Sequence, residues 1–278
     1  FSTGAWRRED MAGMEREAYL RSVQLLRESV PSFAEYPFSL PVIREMDRLA
    51  LHPKVTYIVG ENGMGKSTML EGIAVAWGFN PEGGSLNFTF STYASHSELH
   101  RHLRLARGIR KPRDGFFFRA ESYYNLASSI EELDREGGGP SIIDSYGGRS
   151  LHEQSHGESF FATFMNRFGG GGLYVMDEPE AALSPTRQLS MLARIHELVR
   201  QGSQFIISTD SDGLSGRRHL SARRERHRGG RAGGDGAFPG DEAVPEQPES
   251  DAGGAVLGGI VRILVLPNQR SRRRGQRE

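Results

Sequence analysis

The segment Gly60-Glu61-Asn62-Gly63-Met64-Gly65-Lys66-Ser67 sets glycines, a lysine and a hydroxyl at the spacing G-x-x-x-x-G-K-[ST]. Those residue types suit a polyphosphate. Gly60, Gly63 and Gly65 let the backbone curl, so that successive N–H groups, that of Asn62 among them, face an anion. A helix opening at Lys66 adds the positive end of its dipole. Lys66 offers a point charge to the outer phosphates, the Ser67 hydroxyl a hard oxygen for Mg²⁺, and Thr68 completes the set of phosphate-side contacts.

Two further segments carry complementary chemistry. Leu173-Tyr174-Val175-Met176-Asp177-Glu178-Pro179 is an apolar run ending in adjacent carboxylates. Asp177 at the strand tip is the expected Mg²⁺ ligand, acting through the ion's water shell. Glu178, one residue on, is the expected general base for an attacking water, with Lys66 stabilising the transferred phosphoryl group. About twenty residues earlier, Gln154-Ser155-His156-Gly157-Glu158-Ser159 places a serine, a glycine and a carboxylate at a helix start. A capping serine gives the same letters.

The elements that must position these groups read as alternating strands and helices. Val55 to Val59 is a buried-strand run, and Lys66 to Trp77 is helical with few breakers. Gly115 to Ala120 is an aromatic strand. Tyr123 to Glu136 is a helix closed by Gly137, Gly138 and Gly139, and His156 to Phe168 another stopped by glycines. Leu173 to Met176 is a strand, Pro185 to Gln201 a helix with proline in its first turn, and Gln204 to Ser208 a last strand. Strands separated by helices imply an α/β fold with a mostly parallel sheet, and the G-x-x-x-x-G-K-[ST] loop between a strand and a helix makes a P-loop nucleoside triphosphatase the expected class.

Together the three motifs, in this order and spacing, resemble the Walker A, signature and Walker B segments of the ATP-binding-cassette (ABC) ATPases. Ala181-Ala182-Leu183-Ser184 follows as a D-loop-like segment. The wording of Tyr36 to Pro41, Trp77 to Gly84 and Ser145 to Ser159 is similar to a bacterial group of soluble, non-transporter ABC-class ATPases, also described as AAA-family ATPases. The resemblance spans about residues 18 to 209. It implies ATP and Mg²⁺ as ligands, and a head-to-tail homodimer with ATP between the subunits. Ser155, Gly157 and Glu158 of one subunit would then lie over the phosphate held by Lys66 of the other. An adenine-stacking aromatic is expected upstream of the loop. Tyr36 and Phe38 are the candidates, with a core role as the alternative. Glu121 stands nearest the position of a Q-loop glutamine. A histidine is expected after the last strand to touch the γ-phosphate, but Gln204 to Thr209 is followed by Asp210. A carboxylate there repels phosphate, so slow hydrolysis is expected.

Composition narrows the field. The chain has 278 residues, no cysteine and a mean hydropathy of −0.50. Disulfides, thiolate metal sites and cysteine nucleophiles are excluded, and no window reaches the ~20 apolar residues of a spanning helix. A cytoplasmic protein without membrane contact is expected. Residues 1–17 are expected to be disordered and 18–212 to form the ATPase domain. The formal charge is zero, but it divides into about 22 basic and 27 acidic residues up to Asp212, and 13 and 8 after it.

Residues 213–278 form an arginine- and glycine-rich tail whose periodicity stops; Val256 to Leu266 alone is apolar, and it reads as too short to build a core. Two origins for the tail stand open: translation out of frame after Thr209, or a disordered RGG-like segment that binds nucleic acid. Three functions follow. The first is Mg-ATP hydrolysis coupled to dimer opening. The second is a nucleotide-gated module that closes on DNA or protein with little turnover. The third is a damaged, inactive ATPase. His96, His100 and His102 offer a weak metal cluster on an expected helix. Arg101, Arg104, Arg107 and Arg110 recur every three residues as a basic face.

Overall fold

The computed structural model describes residues 17–86, 97–119, 156–181, 183–210, 254–257 and 261–265, together with the single positions 128, 130, 134, 135, 144, 146 and 148. In chain order the strands are β1 (Leu20–Leu25), β2 (Arg48–Ala50), β3 (Val55–Gly60), β4 (Gly84–Ser85), β5 (Leu103–Arg107), β6 (Asp114–Arg119), β7 (Gly172–Asp177), β8 (Gln204–Asp210), β9 (Gly254–Leu257) and β10 (Val261–Val265). The helices are α1 (Pro41–Glu45), α2 (Lys66–Trp77), α3 (His156–Arg167) and α4 (Pro185–Arg200).

The fold is mixed α/β. A seven-stranded sheet runs β4-β6-β7-β8-β3-β10-β9. Its five central strands are mutually parallel, and the edge strands β4 and β9 are antiparallel. A separate antiparallel sheet runs β2-β1-β5. Strand periodicity sends alternate side chains to opposite faces, and here both faces are dry. Phe116, Phe118, Tyr174, Met176, Phe205, Ile207, Val55 and Tyr57 pack under α3 and α4. Phe117, Leu173, Val175, Ile206 and Ile58 face the other way, onto α2, α1 and the small sheet. A strand buried on both faces draws apolar residues at successive positions, so β3 and β7 read as near-continuous apolar runs. Thr56 interrupts β3, and its buried hydroxyl accepts the His52 N–H.

The α2 boundaries are those read from the sequence, and the helix stops at Gly78, whose φ of 120° an L side chain rarely adopts. Expected strands and helices around β6, β7, α3, α4 and β8 are present, with β8 extending to Asp210.

Three expectations change. Arg104 and Arg107 lie on strand β5, where a spacing of three sends side chains to opposite faces, so these two do not form one basic face. His100 and His102 sit in a short 3-10 turn, Glu98–His102, rather than an α-helix. The apolar run in the tail does join the core: β10 pairs in parallel with β3, Ile263 opposite Tyr57 and Leu264 opposite Ile58. A five-residue strand, four of whose residues are valine, isoleucine or leucine, suffices when an existing strand supplies the ladder. Ile263 packs toward one core and Leu264 toward the other. The rest of the tail, residues 1–16, most of the expected helix from Tyr123 to Glu136, and His96 lie outside the described residues.

Candidate functional site

The carboxyl ends of β3, β7 and β8 are neighbours, because the sheet order places β8 between β7 and β3. Register fixes which residues meet. Gly60 pairs with Asp210 across β3 and β8, and Asp177 with Ser208 across β7 and β8. The end of a parallel sheet is where chain reversals leave room for a ligand.

The loop between β3 and α2 is held from outside by α1. The Val42 N–H donates to the Met64 carbonyl at 3.2 Å. Gly63 and Gly65 adopt φ of 80° and 94°. Space as well as conformation requires glycine at 65: a Cβ there would come within 3.0 Å of the Leu40 Cβ and 3.1 Å of the Val42 Cγ1. Lys66, which opens α2, is only 3% exposed. Its ammonium donates to the Gly60 carbonyl at 2.9 Å, the Glu61 carbonyl at 3.2 Å and the Asp210 Oδ1 at 2.8 Å. The Glu178 Oε1 stands 3.5 Å away. Asn62 joins the same group: with its amide nitrogen turned toward Asp210, it donates at 2.8 Å to Oδ1 and 3.3 Å to Oδ2. Ser67 and Thr68 follow on the first turn of α2, both half-buried.

The acidic side is built by one hydroxyl. Ser208 Oγ donates to Asp177 Oδ1 at 2.5 Å and accepts the Glu178 N–H at 3.0 Å. Glu178 carries a φ of 45°, the sole positive value for a non-glycine among the described residues. Left-handed backbone costs an L residue roughly 1–2 kcal/mol, so the turn is held by its surroundings. Those are the Ser208 contact and the Ala181 N–H, which donates to the Glu178 carbonyl at 3.1 Å. Burial pushes the Glu178 carboxyl above its ordinary range; the Asp210 charge pushes it further, and Lys66 opposes both. Next along, Thr209 Oγ1 donates to Glu180 Oε1.

Of the residues singled out in the sequence, Gly60, Asn62, Gly63, Gly65, Lys66, Asp177 and Glu178 belong to this one corner. Gly157 and Glu158 stand on the first turn of α3, where Glu158 Oε1 accepts from Arg187 of α4 at 3.2 Å. Ser155 and Glu121 lie outside the described residues. Phe38 is buried, its ring edge-on to His102 with centroids 4.9 Å apart, and it serves the core; Tyr36 is exposed. Sequence reading missed Ser208, a common residue in a strand, whose role follows only from its pairing with Asp177. It named Asp210 as a misfit but not as the partner of Lys66.

No protein-family model matches the chain, and no curated protein sequence matches it. Solved structures similar to it include an ATP-binding subunit of an ABC transporter, 17% identical over 71% of this chain and 82% of that one, with a TM-score of 0.35. A putative ABC transporter ATP-binding protein from Pyrococcus furiosus is 17% identical over 60% of this chain and 83% of its own, with a TM-score of 0.32. The SMC head domain from Thermotoga maritima is 15% identical over 69% and 89%, also with a TM-score of 0.32. Among the described residues no helix is long and apolar enough to cross a membrane.

Proposed function

We propose that the chain binds Mg-ATP at the loop from Gly60 to Thr68 and hydrolyses it. One observation carries the reading: a buried lysine at a helix start, under a glycine-shaped loop, beside the carboxylates at the ends of β7 and β8. Burying an ammonium is costly unless it is paired, and Lys66 is held by two loop carbonyls and the Asp210 carboxylate. It makes sense as the counter-charge of an anion.

The donor set suits Mg²⁺. The Ser67 hydroxyl and the Asp177 carboxylate are hard oxygen ligands, and Ser208 orients Asp177. Among the described residues no group of three or more His, Cys, Asp or Glu could hold a metal ion alone. When bound, Mg²⁺ supplies charge neutralisation across the outer phosphates. The chain's residues do the rest. Lys66 binds the phosphoryl oxygens, the loop N–H groups cradle the inner phosphates, and Glu178 takes the proton of a water in line with the outermost phosphate. The head-to-tail dimer, with Ser155, Gly157 and Glu158 of one subunit over the nucleotide of the other, belongs to this proposal.

A second reading is favoured by one contact. The Asp210 carboxylate already sits on Lys66, which suits a nucleotide-gated binding module with slow turnover, closing on a nucleic-acid or protein partner. Steady-state ATPase rates of the unmodified chain and Glu178→Gln separate the two. Hydrolysis that the substitution abolishes supports the enzyme. Equal near-zero rates with retained ATP binding support the module. A melting temperature that Mg-ATP does not raise refutes both.

A further inference from the structure

Resting on the reading of this loop as a nucleotide site, we infer that Asp210 is a specificity-determining residue, an internal anion on Lys66 that makes the chain hold a nucleoside diphosphate in preference to a triphosphate.

An ammonium has three N–H donors. Those of Lys66 reach the Gly60 carbonyl, the Glu61 carbonyl and Asp210 Oδ1. The two carbonyls shape the loop itself, so a phosphate oxygen that is to meet Lys66 must take the position of the Asp210 oxygen. Asn62 strengthens the resemblance to a bound ligand, because its amide reaches both oxygens of the same carboxylate. Asp210 is thus gripped by two residues of the loop, as a phosphoryl group would be. Its backbone is fixed by pairing with Gly60. Only its side chain, about one-third exposed, is available to swing aside.

The two nucleotides meet this arrangement differently. The loop N–H groups cradle the first and second phosphates, while the lysine reaches the second and third. A diphosphate meets the lysine through its terminal phosphate alone and keeps the backbone contacts that Asp210 does not occupy. A triphosphate must insert its terminal group where Lys66, Asp210 and Glu178 converge. There one ammonium faces two carboxylates, with Asp177 adjoining Glu178. Added negative charge at such short range is repelled most strongly by the nearest carboxylate. Asp210 competes for the lysine with either nucleotide, but its repulsion falls hardest on the third phosphate, which brings the added charge nearest the carboxylates.

The test is calorimetric titration of the full chain with Mg-ATP and with Mg-ADP, repeated on Asp210→Asn and Asp210→Ser. The unmodified chain should favour ADP. Either substitution should tighten ATP binding about tenfold and ADP binding by less than about threefold, as for removal of one close repulsive charge. Ligand-free melting temperatures should stay close together, which separates specificity from a general effect on the fold. An unmodified chain that favours ATP, or a ratio that neither substitution moves while both nucleotides bind, overturns the inference and leaves the site reading intact. If neither nucleotide binds the folded chain or the folded variants, the site reading fails and the inference with it. The unmodified ratio needs no variant, so a substitution that unfolds the chain does not remove the test.

Discussion

Strand β8 has a different kind of polar residue at each end. At its start, the Gln204 amide is buried and fully satisfied. Its Oε1 accepts from the Tyr19 N–H at 3.0 Å and the Leu20 N–H at 2.9 Å; its Nε2 donates to the Leu20 carbonyl at 2.8 Å and the His52 carbonyl at 2.9 Å. Two strands away, Arg167 grips Asp114 through two nitrogens at 2.7 and 3.1 Å. The Tyr174 hydroxyl closes on Gly169, and its pKa is pushed up by burial and by the Asp114 charge. Donors and acceptors match, and charges cancel. At the other end, Asp210 and Glu178 share one ammonium, and Glu178 sits in left-handed backbone. Matched groups need nothing from outside. Unmatched charge held by a rigid sheet is a place for a ligand to act, so on the proposed reading the two ends divide stability from function.

Breaking the matched end should have the largest effect. Gln204→Leu keeps much of the volume but removes the buried side-chain partner of the Tyr19 and Leu20 N–H groups and of the Leu20 and His52 carbonyls. The expected loss is on the order of 4 kcal/mol, read as a fall in the urea midpoint. At the other end Lys66→Ala should move stability far less, because Asp210 and Glu178 can turn toward water. It should weaken Mg-ATP binding about a hundredfold, or about 3 kcal/mol, measured by titration. If Lys66→Ala unfolds the chain while Gln204→Leu is tolerated, the contrast between the ends is wrong.

The sequence makes the unmatched end easier to see than the matched one. Glycine spacing, a lysine and paired carboxylates are local signals, and strands buried on both faces announce themselves as apolar runs. The small sheet carries no such mark. Leu20–Leu25 reads Leu-Arg-Ser-Val-Gln-Leu, and Arg48–Ala50 is three residues long, so neither shows a period. Both exist because Val23 pairs with Leu49 on one side and Leu105 on the other. Likewise Gln204 looks like any polar residue at a strand start until the register brings Leu20 and His52 to it. The apolar run from Val256 to Leu266 shows in the sequence, but its place in the core does not, because its partner β3 lies far upstream. What local spacing encodes was legible, while pairings between distant segments were not.

Arg167→Met sharpens the comparison at a smaller scale. It removes the partner of Asp114, whose side chain is 24% exposed, and leaves that carboxylate beside the Tyr174 hydroxyl. Breaking a half-buried bidentate pair should cost about 2 kcal/mol, less than a fully buried one because water reaches both partners. Chemical denaturation at neutral pH reads it. ATP binding should be unchanged, since the pair lies at the opposite end of β6 and β7 from the loop.

The smallest expected effect has the opposite sign. Glu178→Gly places glycine where φ is 45° and removes a carboxylate from beside Asp210. Both changes relieve the unmatched end. The offsetting term is the greater freedom of glycine in the unfolded chain, roughly 0.5–1 kcal/mol. The net should be a gain of about 0.5 kcal/mol in thermal or urea unfolding, with ATP turnover lost. Glu178→Gln isolates the parts, because it removes the charge and keeps the strained backbone. It should lose turnover equally while gaining less stability than Glu178→Gly. A Glu178→Gly protein less stable than the unmodified chain would mean that the left-handed turn is held by the glutamate's own contacts. The carboxylate would then belong to the structural accounting rather than standing against it.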